Sequence, residues 1–139
     1  MEILIIDGQG GKLGRQLVEA VLKAHPAVTL TAVGTNSLAT ESMMKGGARR
    51  IATGENAVIV GARRADIIMG PIGIVLADAL LGEISPAMAV AVGQSTATKI
   101  LVPLNRCETL VAGVAGQSAA ALIADALAKL DEVLARGGC

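Results

Sequence analysis

No phenylalanine, tyrosine or tryptophan occurs anywhere in the 139 residues. Without aromatic rings the chain lacks the stacking platforms on which single-stranded nucleic acid and flat rings commonly lie. A base or ring bound here must therefore sit between aliphatic side chains. An excess of one charge is missing too, since 12 Lys and Arg balance 12 Asp and Glu, which argues against nucleic acid and against an anionic membrane surface. One histidine, His25, and two cysteines, Cys107 and Cys139, are too few for a disulfide framework or a Cys/His zinc centre, so no metal site is expected. The most apolar stretch, Ile67 to Leu81, is too short for a typical membrane span and contains Pro71 and Asp78. The opening MEILIID lacks the basic region and cleavable hydrophobic stretch of a secretory signal. These absences predict a cytoplasmic protein whose ligand is a small molecule.

What the chain does have is aliphatic bulk, 53% hydrophobic against 17% charged residues, in a length suited to one domain over 1–139. That length leaves no room for a separate substrate domain, so a second half of any active site would come from another chain. Glu2 to Ile6 is a continuous aliphatic run, the pattern of a strand covered on both faces. A helix from about Gly11 to Ala24 follows, stopped by Pro26; His25 reads as a solvated helix-terminal residue. Val28 to Val33 is a second strand, and a short helix from Ser37 ends at Gly46-Gly47. Arg49 to Ala52 is a short third strand with a helix through Arg64 behind it. Asp66 to Met69 is the fourth strand, GPIG a turn and Ile74 to Leu81 a helix. Ser85-Pro86 then starts another helix, which includes Ala87 to Val92. Lys99 to Leu104 is the fifth strand, Thr109 to Val114 a candidate sixth, and Gln117 to Ala135 the most periodic helix.

Strands that alternate with helices predict a mainly parallel sheet of five or six strands, helices on both faces, and ligands beyond the carboxyl ends of the strands. The segments at those ends are GQGGKLG, GTN, ATGEN, GPIG and PLNRC. Gly8, Gly11 and Gly14 have GxxGxxG spacing between a strand and a helix, where backbone N–H groups at a helix start hold pyrophosphate. The candidate cofactor-binding residues are Gly8, Gln9, Gly10, Gly11, Lys12, Leu13 and Gly14 of this loop, with Gly34, Thr35 and Asn36 after strand two and Gly70, Pro71 and Ile72 after strand four. Leu13 stands where a phosphate-binding loop of nucleotide hydrolases needs Ser or Thr, which disfavours that activity.

The stretch GQGGKLGRQL resembles the cofactor loop of dihydrodipicolinate reductases, a likeness that implies NAD(P) binding through Gly8, Gly11, Lys12 and Gly14. Over essentially the whole chain the series IDGQGG, GTN, ATGENA, GPIGI, GEISP and PLNRC resembles a family of short bacterial proteins classed as a domain of unknown function. Together these resemblances imply a Rossmann-like three-layer α/β sandwich and NAD or NADP as the cofactor.

Two features depart from a dinucleotide site. The acid expected about 20 residues beyond the glycines, for the adenosine ribose, is replaced by Gly34, Thr35, Asn36 and Ser37. Neutral donors there suit a ribose or a 2′-phosphate with Arg49 or Arg50 as countercharge; equally, Asn36 or Ser37 suits a helix cap. The second departure is Asp7, whose charge would repel pyrophosphate unless loop amides or Lys12 absorb it. It reads as an organiser of the loop through backbone amides, or alternatively as a magnesium ligand beside Glu55.

Two functions of different class follow. One is a binding or sensing module for a nucleotide. The other is a small enzyme acting on a compact anionic substrate, with Glu55 as acid or base, Asn105 and Arg106 holding the anion and Cys107 as nucleophile. A high apolar fraction in so small a chain, with helices poor in charge on every face, also predicts a homo-oligomer, a two-fold dimer first.

Overall fold

The computed structural model describes residues 1–104 and 109–137. Five strands, β1 (Glu2–Asp7), β2 (Thr29–Gly34), β3 (Arg50–Thr53), β4 (Ile67–Pro71) and β5 (Thr98–Val102), form one sheet in the order β3-β2-β1-β4-β5. Every adjacent pair is parallel. The helices are α1 (Lys12–Ala24), α2 (Ser37–Lys45), α3 (Glu55–Arg64), α4 (Pro86–Gln94) and α5 (Ala119–Ala135).

The period-two alternation of β1 divides the core. Ile3 and Ile5 join Leu17 and Val21 of α1, Met43 of α2, and Leu130 and Val133 of α5 in one cluster. Leu4 and Ile6 join Val58 of α3 and Met88 and Val92 of α4 in the other. A parallel sheet with helices on both faces needs central strands that are apolar on both sides, and residues 3–6 are at most 1% exposed. The α/β sandwich predicted from the alternation is therefore the one observed, with five strands.

Helix starts follow local chemistry. Asn36, Ser85 and Ser118 each accept a hydrogen bond from the backbone N–H three residues on, and cap α2, α4 and α5. The cap at Ser118 moves the start of α5 from the predicted Gln117 to Ala119.

Three expectations need correction. Gly70 and Pro71 complete β4 instead of turning, and a single 3₁₀ turn follows at Ile72–Val75. Residues 74–81 form no α-helix. Leu76 is extended, and Asp78, Leu80 and Leu81 have φ of 66°, 57° and 57°. Their apolar character reflects burial of Ile74 and partial burial of Val75, Ala79 and Leu80 against the α3–α4 core, so the run carries no helical period. Residues 109–114 form no sixth strand, and Leu110 is 93% exposed.

The candidate functional site

Because all five strands are parallel, their carboxyl ends share one edge. The strand order reverses between β1 and β4, the place where open α/β sheets form a ligand crevice. The loop leaving β1 is organised by Asp7. This residue is buried, and its two carboxylate oxygens accept the N–H of Gly8 at 2.8 Å and of Gly14 at 2.7 Å. Gly14 is the third residue of α1, so Asp7 serves as a remote cap for a helix whose own first flanking residue, Gly11, has no side chain. Burial pushes the Asp7 carboxyl above the ordinary aspartate range. The bonds from Gly14 and Gly8 pull it down, and the nearby charge of Glu83 adds to the rise.

Three of the loop glycines make close approaches to the protein itself. A Cβ on Gly8 would meet Thr35 Oγ1 at 2.7 Å and Leu80 at 2.9 Å; one on Gly11 would meet the Ala39 backbone at 2.7 Å. One on Gly14 would meet Met43 Sδ at 2.6 Å. Gly11 also needs its left-handed φ of 72°. Gly10 differs, since nothing lies within 4 Å of a Cβ there. Among the described residues no partner meets the N–H groups of Gly10, Lys12 and Leu13, and the exposed Lys12 side chain makes no ion pair.

A residue outside the sequence-based set closes this edge. Glu83, in the connection between β4 and α4, places Oε1 2.9 Å from the Gln9 N–H, 2.6 Å from Thr35 Oγ1 and 2.7 Å from Asn36 Nδ2. All three groups donate to it. Burial alone would raise the Glu83 carboxyl, but these bonds outweigh it and hold the group below the ordinary glutamate range. The backbone around it is costly. Asp78, Leu80 and Leu81 are left-handed without being glycine, at about 1–2 kcal/mol each. Bonds from Asp78 N–H to the Ile84 carbonyl and from Ile84 N–H to the Ala79 carbonyl hold the turn. One sequence signal pointed here: Glu83 is the sole charged residue between Asp78 and Lys99.

The remaining predicted residues divide. Asn36 both caps α2 through Ala39 and donates to the Gln9 carbonyl at 3.0 Å, so the capping role and a place in the site coexist. Gly34 accepts from the Gly54 N–H at 2.9 Å, and Thr40 bonds Thr53 at 2.7 Å, lacing the β2 and β3 ends together. Gly70 packs against the Ile6 backbone, and Pro71 is buried. Ile72 lines a cavity of about 280 Å3 with Ile100, Pro103, Val111, Val114 and Leu122, beside the ends of β4 and β5. Glu55 begins α3, exposed and without a hydrogen bond or ion pair among the described residues. Asn105, Arg106 and Cys107 lie outside the described residues.

Two placements overturn expectations. Arg50 opens β3 and pairs with Glu2 at 3.2 Å, and Arg49 precedes it, so both lie at the amino end of the strand, away from the glycine loop. Neither is a countercharge for a 2′-phosphate at the β2 terminus. His25 is partly buried, not fully solvated, and its Nε2 lies 2.6 Å from Asp131 Oδ1, which ties the end of α1 to α5. Among the described residues no group of three or more His, Cys, Asp or Glu is arranged to hold a metal ion. No helix among them is long and apolar enough to cross a membrane.

A five-stranded parallel sheet in this order, with a glycine loop between its central strand and first helix, defines an α/β protein of Rossmann type. The chain belongs to the family described as Domain of unknown function (DUF3842), whose model matches residues 2–135. No curated protein matches it. Among solved structures it is similar to a dodecameric FMN-dependent UbiX-like decarboxylase from Escherichia coli O157:H7, with 19% identity and a TM-score of 0.47 over 95% of this chain and 76% of that one.

Proposed function

We propose that the carboxyl edge of the sheet binds a phosphate-bearing nucleotide, with NAD or NADP as the leading candidates, and that the protein is a binding or sensing module. The observation that carries this reading is that the N–H groups of Gly10, Lys12 and Leu13 at the start of α1 have no partner among the described residues, and that Gly10 faces open space. Amides at a helix start attract phosphate oxygens through their dipoles and hydrogen bonds, and the exposed Lys12 adds a positive charge. The charge of Asp7 is already shared between two other loop amides. Beside the ends of β4 and β5, the cavity that includes Ile72 has a mixed lining, with Ile100, Val111 and Leu122 next to Gln117, Asp125 and Lys129, and offers both apolar surface and polar groups to the rest of a ligand.

Gly10→Val tests this directly. Nothing lies within 4 Å of its Cβ, so the unfolding free energy is expected to stay within about 1 kcal/mol of native. Titration calorimetry with NAD, NADP and ATP should show binding to the native protein and at least a tenfold loss in the variant, about 1.4 kcal/mol. Absence of binding to the native protein would refute the reading.

The same proposal includes a homodimer. The α4 sequence PAMAVAVGQ holds no charged residue, Val90 on it is 52% exposed, and Leu81 nearby in sequence is 96% exposed. A partner that covers these residues would take their apolar surface out of water, and two-fold pairing is the commonest closed arrangement. Light scattering at micromolar concentration is expected to give twice the chain mass; a monodisperse monomer would overturn it.

A further inference from the structure

In dinucleotide sites of this topology the phosphates lie at the glycine loop and the adenosine ribose near the end of the next strand, which here is β2, beside β1 and with its loop touching the glycine loop. In dinucleotide sites an acid at this point accepts hydrogen bonds from the vicinal hydroxyls. The β2 terminus here offers only Gly34, Thr35, Asn36 and Ser37. Yet a carboxylate is present in space: Glu83 reaches across from the β4–α4 connection to Thr35 and Asn36.

We infer that Glu83 supplies the missing ribose acceptor, so that the site selects nucleotides with an unphosphorylated 2′,3′-diol. The inference rests on the nucleotide-binding reading above and deepens it. Three features carry it. All three donors converge on Oε1, and Oε2 meets no donor among the described residues, which leaves its lone pairs for a ligand hydroxyl. The carboxylate is fixed from three sides by groups of both loops, so the acceptor is in place before a ligand arrives. A 2′-phosphate would instead bring a second anion against this carboxylate. The arginines that could have neutralised it sit at the opposite end of β3, with Arg50 already paired to Glu2.

The left-handed residues of 78–81 fit the same account. Strained non-glycine backbone persists where the surroundings over-determine it, and here the turn delivers Glu83 to the edge of another strand.

The test compares native protein and Glu83→Gln by calorimetry with four probes, NAD, NADP, ADP and 2′-deoxy-ADP. Glutamine keeps an oxygen for Thr35, Gln9 and Asn36 while it removes the charge. Native protein is expected to bind NAD at least tenfold tighter than NADP, and ADP about tenfold tighter than 2′-deoxy-ADP, the loss typical of a charge-assisted hydrogen bond. In Glu83→Gln both preferences should shrink severalfold. The native ratios stand as evidence even if the variant fails to fold. Equal binding of all four probes to the native protein would overturn the ribose role and leave nucleotide binding intact. Tighter binding of every probe to Glu83→Gln would also overturn it, and would make Glu83 an internal competitor for the loop. No binding of any probe to the native protein would refute the parent reading and this one with it.

Discussion

Gly11→Val will be destabilised by roughly 2–5 kcal/mol, the sum of two costs that fall on the same atom. The first is conformational. Gly11 has φ of 72°, a region that costs an L-residue about 1–2 kcal/mol and suits a β-branched side chain worst. The second is steric. The new Cβ would stand 2.7 Å from both the Cα and the carbonyl oxygen of Ala39 and 3.0 Å from Ser42 Cβ. Backbone of α2 cannot swing aside as the end of a long side chain can, and overpacking of this kind costs about 1–3 kcal/mol. Urea unfolding followed by circular dichroism measures the change in midpoint. A midpoint equal to native would mean that α1 and α2 separate without cost, contrary to the contact between them. The contrast with Gly10→Val is the useful part: neighbouring glycines in one loop answer different questions, one about folding and the other about the ligand.

That contrast also explains how much of the molecule was legible in the sequence. Apart from the helix expected over 74–81 and the sixth strand expected over 109–114, the order of elements followed from local signals: the aliphatic run of Glu2 to Ile6, the caps at Ser85-Pro86, and the period of the last helix each act within a few residues. The loops after β1, β2 and β3 followed in turn, because parallel strands force them to one side. The purpose of the glycines was less visible. GxxGxxG spacing signals close approach to the backbone, and sequence cannot say whether a phosphate or a second helix makes it; at Gly11 and Gly14 the approach comes from Ala39 and Met43. Glu83 escaped notice for a related reason. Its bond to Gln9 spans 74 positions along the chain, and the 74–81 run that aims it has the composition of a buried helix without its period. What decides that segment is long-range packing on the α3–α4 core, with the turn closed by Asp78 and Ile84.

Asp7→Ala is expected to destabilise the protein by about 2–4 kcal/mol near neutral pH, because two buried N–H groups lose their acceptor at once and each orphaned donor costs about 1–3 kcal/mol. Part of that loss is returned by removal of a buried charge. The same balance fixes the pH dependence. Burial is the largest influence on Asp7, with Glu83 reinforcing it and the Gly14 and Gly8 amides opposing, so the folded protein holds the proton to higher pH than the unfolded chain does. A group of this kind contributes most below its unfolded pKa, about 3.9 for aspartate, and the contribution declines as pH rises through the folded value. The stability gap between native protein and Asp7→Ala should therefore be widest in acid and narrow toward neutrality. Glu83, whose carboxyl is shifted the other way, loses its own contribution as pH falls, but it titrates in both proteins and largely cancels in the difference. Urea midpoints for the pair between about pH 3 and pH 7, a range that brackets the ordinary carboxylate values, provide the measurement. A gap that widens with rising pH would mean that the two amides outweigh burial and that Asp7 works as a fully ionised cap. The Gly8 and Gly14 amides would then be the groups that hold the ionised form, committed to Asp7 and not to a ligand.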